Sequence, residues 1–161
     1  MSVKVGIGQD SHRFEAKPTD KPLVLGGVKI PGECALEGRS DADVVLHAVT
    51  NAVSGVTGIN VIGKRSDEML TRDGIVDSRY YLEEALSHLA ESYRVVHVSV
   101  AIECRRPKLS PHIPAMRAGI AELMALSVDD VGITATTGEG LSDFGRGDGI
   151  QAFAVLTASR V

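Results

Sequence analysis

Arg94-Val95-Val96-His97-Val98-Ser99-Val100-Ala101-Ile102-Glu103 sets β-branched side chains at Val96, Val98, Val100 and Ile102. This is the period of a strand with one buried face. Outward from this strand, helix and strand patterns interleave. Toward the carboxyl terminus, Pro111 to Leu126 carries Ile113, Met116, Ile120, Leu123 and Met124 at helical spacing, and Val131 to Thr137 and Ile150 to Leu156 read as closing strands. Toward the amino terminus, a helix from Ser78 to Glu91 follows Asp77 as its cap, and another runs from Asp43 to Ser54. Pro22 to Ile30 reads as a hairpin turning at Gly26-Gly27, and Val3 to Gly8 as the first strand. The expected class is α/β, an α+β sandwich with a mixed sheet and helices packed on one face. Gly58 to Val76 shows neither period and reads as a long irregular connection, a kind of segment that often carries function.

The chain has 161 residues, 43% hydrophobic and 24% charged, which fits one well-buried domain over 1–161. A net charge of −4 gives no electrostatic case for nucleic acid or an anionic membrane, and 4% aromatic content without Trp argues against a base-stacking surface. Cys34 and Cys104 form no C-x-x-C pattern and fit reduced intracellular thiols. With no apolar leader segment before Val3 and no run of membrane-spanning length, the expected compartment is the cytoplasm.

Asp10 and His12 are two residues apart, so an extended segment turns both side chains to one face. His47 falls on the helix that starts near Asp43, and it can supply a third ligand. Two imidazoles, one carboxylate and an open position suit catalytic Zn²⁺. A lone histidine is more often only a hydrogen-bonded surface residue; the Asp-x-His spacing is what favours a metal here. Asp43, four residues before His47, is a candidate to orient its ring.

Thr134-Ala135-Thr136-Thr137-Gly138-Glu139-Gly140 follows a strand and offers hydroxyls, backbone N–H groups and a carboxylate, the parts that hold a diphosphate and a hard cation. Arg105-Arg106-Pro107-Lys108 sets positive charge at the end of another strand, and Gly145-Arg146-Gly147-Asp148-Gly149 adds a flexible charged turn. Taken singly, each is a weak signal, and a Gly-rich stretch alone more often means a surface turn.

Together these pieces resemble the 2-C-methyl-D-erythritol 2,4-cyclodiphosphate synthase family over nearly the full length. The resemblance rests on Gly8-x-Asp10-x-His12-x-Phe14, Gly26-Gly27-Val28-x-Ile30-Pro31, Ser40-Asp41-Ala42-Asp43-Val44 with Leu46-His47-Ala48, and Asp77-Ser78-Arg79. It continues through Pro107-Lys108 with Pro111-His112-Ile113-Pro114, Ala135-Thr136-Thr137-x-Glu139, and Gly145-Arg146-Gly147-Asp148-Gly149. The resemblance implies cyclisation of 4-diphosphocytidyl-2-C-methyl-D-erythritol 2-phosphate with release of CMP, a step of non-mevalonate isoprenoid synthesis. It implies Zn²⁺ on Asp10, His12 and His47, and Mg²⁺ or Mn²⁺ on Glu139. It places Lys108, Thr136 and Thr137 on the cytidine diphosphate and backbone groups near Ala135, Leu109 and Ser110 on the base, with Ser40, Asp43 and Asp67 among the substrate contacts. It implies a homotrimer with active sites between subunits, and Arg146 facing a central cavity where prenyl diphosphates bind.

The chain departs from the family pattern where Asp-Ile-Gly is usual: Val61-Ile62-Gly63 stands there, and Asn51 and Arg39 replace a customary Asp and His. A valine cannot bind the substrate hydroxyls as a carboxylate does. Two readings follow. One is the synthase, with Ser66, Asp67 or Asp73 supplying substitute contacts; if instead the missing carboxylate matters, the usual substrate should turn over slowly and Val61→Asp should raise turnover. The other is a trimeric paralogue that binds metal and a nucleoside or prenyl diphosphate without cyclising the usual substrate; an enzyme acting on another polyol phosphate is a third.

Overall fold

The strand read from Arg94 is β4 (Tyr93–Glu103), and it lies inside a four-stranded sheet in a computed structural model that describes residues 2–161. Its neighbours are β5 (Val131–Thr136), which runs parallel to it, and β6 (Gly149–Arg160), which runs antiparallel. Beyond β6, antiparallel again, comes β1 (Val3–Arg13), giving the order β1-β6-β4-β5 and a mixed sheet. A separate hairpin, β2 (Leu23–Leu25) and β3 (Val28–Ile30), turns at Gly26 and Gly27, both at positive φ. That conformation suits a residue without a Cβ.

The helices are α1 (Val44–Thr57), α2 (Lys64–Asp73), α3 (Ser78–Ala90), α4 (Ile113–Leu123) and the short α5 (Asp143–Arg146). Helix α1 lies across β1 and β6 and is buried along most of its length, with Val44, Val45, Leu46, Val49 and Val53 in the core. A Cβ at Gly6 would sit 2.0 Å from the Ala52 carbonyl oxygen, and one at Gly8 would sit 2.0 Å from that of Ala48. Only glycine lets the helix backbone rest on this strand. The next two side chains on that face of β1 are Asp10 and His12, so the glycine seat sets the height of α1 over them. On the opposite face Val5 and Ile7 of β1 and Phe153 and Val155 of β6 are exposed, an apolar strip that no helix among the described residues covers.

Several boundaries differ from the sequence reading. Strand β1 continues through Asp10 and His12 to Arg13, paired with β6 in unbroken register from Gly149 to Ser159, and β6 ends at Arg160 opposite Tyr93 of β4. Helix α4 is shorter than its pattern: Pro114 sits in its first turn, where a missing N–H is harmless, and Ala125 at φ 52 marks its end. The larger correction concerns Gly58 to Val76, which contains α2 rather than an irregular loop. Helix α2 buries none of its residues, so no apolar stripe announces it. It is bounded instead by Gly63 and by Gly74 in the left-handed conformation, with Ser66 Oγ accepting the Gly63 N–H at 3.0 Å. Among the described residues, no helix is long and apolar enough to cross a membrane.

Candidate metal centre

Asp10 and His12 extend from β1 beneath the first turn of α1, which supplies His47. Asp10 Oδ2 lies 2.9 Å from His12 Nε2 and 3.0 Å from His47 Nδ1, and one donor atom from each residue falls within 4.8 Å of the others. Burial pushes the Asp10 carboxyl up, but hydrogen bonds and charge attraction from the two imidazoles outweigh it and hold the group at about 2. Burial lowers the His12 value, but the bond to Asp10, the charge of that carboxylate and the Glu37 carbonyl together outweigh it, raising the value above the ordinary 6.5. A carboxylate oxygen and two ring nitrogens converging in this way match the donor set of a catalytic divalent metal with an open position.

The rear of each ring is also bonded. His12 Nδ1 meets the Glu37 carbonyl oxygen at 2.7 Å, and His47 Nε2 meets Ser78 Oγ at 2.8 Å. Lys21 Nζ braces the loop behind His12 by donating to the Leu36 and Gly38 carbonyls at 2.8 and 3.0 Å. Asp43 does not perform the orienting role expected of it. It stands outside the helix as the cap of α1, fully buried, and its carboxylate accepts the N–H groups of Gly26, Gly27, Val45 and Leu46. Burial pushes it up to about 6 against the pull of those donors. Its oxygens are spent on the fold and are closed to substrate.

In front of the three residues opens a cleft of about 270 Å³, whose walls include Arg39, Ser40, Gly63, Ser66, Asp67 and Tyr81. Ser40 and Asp67, expected among the substrate contacts, are both on its wall. Val61 does not line this cleft: it is fully buried in the hydrophobic core, so its side chain is not the missing hydroxyl contact. Asn51 is a tie between layers, its amide donating to the Gln9 carbonyl at 3.1 Å, which a carboxylate could not do.

The second expected set lies at the other edge of the sheet. Asp10 pairs with Ala152, Ala152 with Ile102, and Ile102 with Ala135, so Asp10 and Ala135 share one row on opposite edge strands. Three interstrand spacings separate them by about 14 Å. Beyond Ala135 the exposed Thr136 and Thr137 lead into a turn where Gly138, Glu139 and Gly140 all take positive φ. Glu139 at φ 52 is held in a conformation costing about 1 kcal/mol for a residue with a Cβ, and its side chain is exposed. The turn is seated on Glu103, which accepts the Ser142 hydroxyl and lies where a Cβ at Gly138 would fall. Lys108 and Ser110 are exposed; Leu109 is buried, and its carbonyl accepts the N–H groups of His112 and Ile113. Arg146, at the end of α5, forms an ion pair with Asp143.

Ser78 was visible only as the residue after a helix cap, and the carbonyl of Glu37 carries no side-chain signal at all. Both become legible only when the loops before α1 and α3 meet. The 2-C-methyl-D-erythritol 2,4-cyclodiphosphate synthase of Chlamydia muridarum is 49% identical over 154 residues, covering 96% of this chain and 86% of that one. A solved 2C-methyl-D-erythritol-2,4-cyclodiphosphate synthase in a CDP-bound form is similar at a TM-score of 0.85 and 32% identity, covering 97% of this chain and all of that one. The bifunctional IspDF of Campylobacter jejuni matches at a TM-score of 0.89 and 26% identity, covering 99% of this chain and 43% of the longer one. The YgbB family model matches residues 3–159, and this chain belongs to that family.

Proposed function

We propose that the chain is a 2-C-methyl-D-erythritol 2,4-cyclodiphosphate synthase. It cyclises 4-diphosphocytidyl-2-C-methyl-D-erythritol 2-phosphate: an oxygen of the 2-phosphate bonds to the β-phosphorus, the bond from that phosphorus to the bridging oxygen breaks, and CMP leaves. The observation that carries this reading is the convergence of Asp10, His12 and His47 on one point at the floor of the cleft. It is supported by the near full-length identity with the Chlamydia muridarum synthase.

Asp10, His12 and His47 would hold Zn²⁺, and Glu139 would hold Mg²⁺ or Mn²⁺. Bound there, the two ions polarise phosphate oxygens and offset the repulsion between two polyanionic groups. The chain's own groups do the positioning. Arg39 and Ser40, on the cleft wall, face the incoming phosphate, and Asp67 accepts hydrogen bonds from the polyol hydroxyls in place of the customary carboxylate. Thr136 and Thr137 bind the diphosphate through their hydroxyls, while Lys108 neutralises charge that develops on the departing CMP. Backbone groups beside Ala135, Leu109 and Ser110 face the base.

Residues 1–161 act as one catalytic domain in a homotrimer. Two observations support an active site shared between subunits: the sheet separates Asp10 from Ala135 by two intervening strands, and Val5, Ile7, Phe153 and Val155 expose an apolar strip. A neighbouring chain supplies Lys108, Thr136, Thr137 and Glu139 to the metal centre of the first. The two free thiols, Cys34 and Cys104, suit a cytoplasmic protein. The test is CMP release by the purified chain with Zn²⁺ and Mg²⁺. Formation of one cyclic diphosphate per CMP is expected, and a folded, zinc-loaded oligomer that releases none would overturn the reading.

A further inference from the structure

His12 and His47 present different nitrogens to the same point, and different devices set their protons. Behind His12 stands a backbone carbonyl, which can only accept, so His12 Nδ1 carries hydrogen and Nε2 is the nitrogen whose lone pair a neutral ring can offer to a metal. Behind His47 stands a serine hydroxyl, which can donate as well as accept. A hydroxyl donating to Nε2 would leave the proton of a neutral ring on Nδ1, where it blocks a metal.

Asp41 resolves this ambiguity. Its carboxylate accepts the Ser78 hydroxyl through Oδ1 and the Ser78 N–H through Oδ2 at 2.9 Å. A hydroxyl has one hydrogen, and Asp41 takes it. Ser78 Oγ therefore meets His47 Nε2 as an acceptor, Nε2 keeps its hydrogen, and Nδ1 turns a lone pair toward the metal position. Asp41 is itself fixed: its N–H donates to the Val76 carbonyl at 2.8 Å, and the Asp43 N–H donates to its Oδ1 at 3.1 Å. Ser78 is fully buried at the first turn of α3, where water cannot substitute for it. We propose that Asp41, acting through the Ser78 hydroxyl, is a positioning residue that keeps His47 in the tautomer able to bind a metal.

The inference rests on reading Asp10, His12 and His47 as a metal centre, and zinc affinity measured by chelator competition separates the two. Asp41→Ala and Ser78→Ala should each weaken zinc ten- to hundredfold, the usual effect of removing such an outer partner. Because Asp41 acts through Ser78, the double variant should bind no more weakly than the poorer single variant, while Ser78→Thr should keep wild-type affinity. Losses that multiply in the double variant overturn the proposal and leave the metal centre standing. A wild-type chain that takes up no zinc overturns the metal centre and the proposal with it. Should the Asp41 variant not fold, the zinc-loaded wild type decides by NMR: a slowly exchanging Nε2 proton on His47 is expected, and a rapidly exchanging one overturns the proposal.

Discussion

Gly8 and Ala48 touch backbone to backbone: a Cβ on Gly8 would lie 2.0 Å from the Ala48 carbonyl oxygen. His47 precedes Ala48 and Asp10 follows Gly8 by two, so this contact fixes the gap across which a metal would be held. Gly8→Ala should force α1 upward, lowering stability by about 1–3 kcal/mol, the range for overpacked cores. Zinc affinity should fall with it. Chemical denaturation and metal titration check both, and an unchanged unfolding midpoint would contradict the role given to this seat.

Val61→Asp is expected to harm the protein. The side chain is fully enclosed by the core, and an unpaired carboxylate there costs about 3–5 kcal/mol. Asp67→Ala, on the cleft wall, should instead lower turnover of the methylerythritol substrate while leaving the unfolding midpoint within about 0.5 kcal/mol of wild type. Higher turnover in Val61→Asp would restore the view that position 61 faces substrate.

The grouping of Asp10 and His12 was legible because the period of a strand decides it. Asp43 was misread because spacing alone put it on the helix face of His47. It is the cap, at φ −66 and ψ 90, so its side chain turns back to the orphan N–H groups. Helix α2 was missed because Met69 and Leu70 are its only apolar residues, too few to mark a helical period. The Gly8 seat and the Ser78 contact depend on how elements pack, which the linear pattern does not contain.

Acid and base should each weaken the metal-free protein. The folded Asp10 carboxyl sits at about 2 against an ordinary 3.8, so its contribution is complete above the ordinary value and is lost as pH falls toward 2. That loss amounts to about 2 kcal/mol. His12 is raised above 6.5, so its contribution is complete below 6.5 and is lost as pH rises through the folded value. Thermal unfolding of the metal-free chain should therefore show this pair most stabilising between about pH 4 and 6.5, with the profile flattened in Asp10→Asn. Equal pH profiles for the two proteins would contradict the pairing.

Lys108→Ala should weaken CDP binding by about 1.5–3 kcal/mol, the scale of a charge-assisted hydrogen bond, and Thr137→Ala should weaken it by about 1 kcal/mol. Calorimetric titration checks both. Undiminished affinity would remove this turn from the nucleotide site.

The most direct test of the central claim, a synthase site completed by a neighbouring chain, mixes two inactive variants. His47→Ala lacks a metal ligand at one sheet edge, and Lys108→Ala lacks the cation near the other. Unfolded together and reassembled, they should regain CMP release at roughly a quarter of wild-type activity, because an intact His47 then faces an intact Lys108 at about one interface in four. Mixed assemblies as inactive as either variant alone would contradict it.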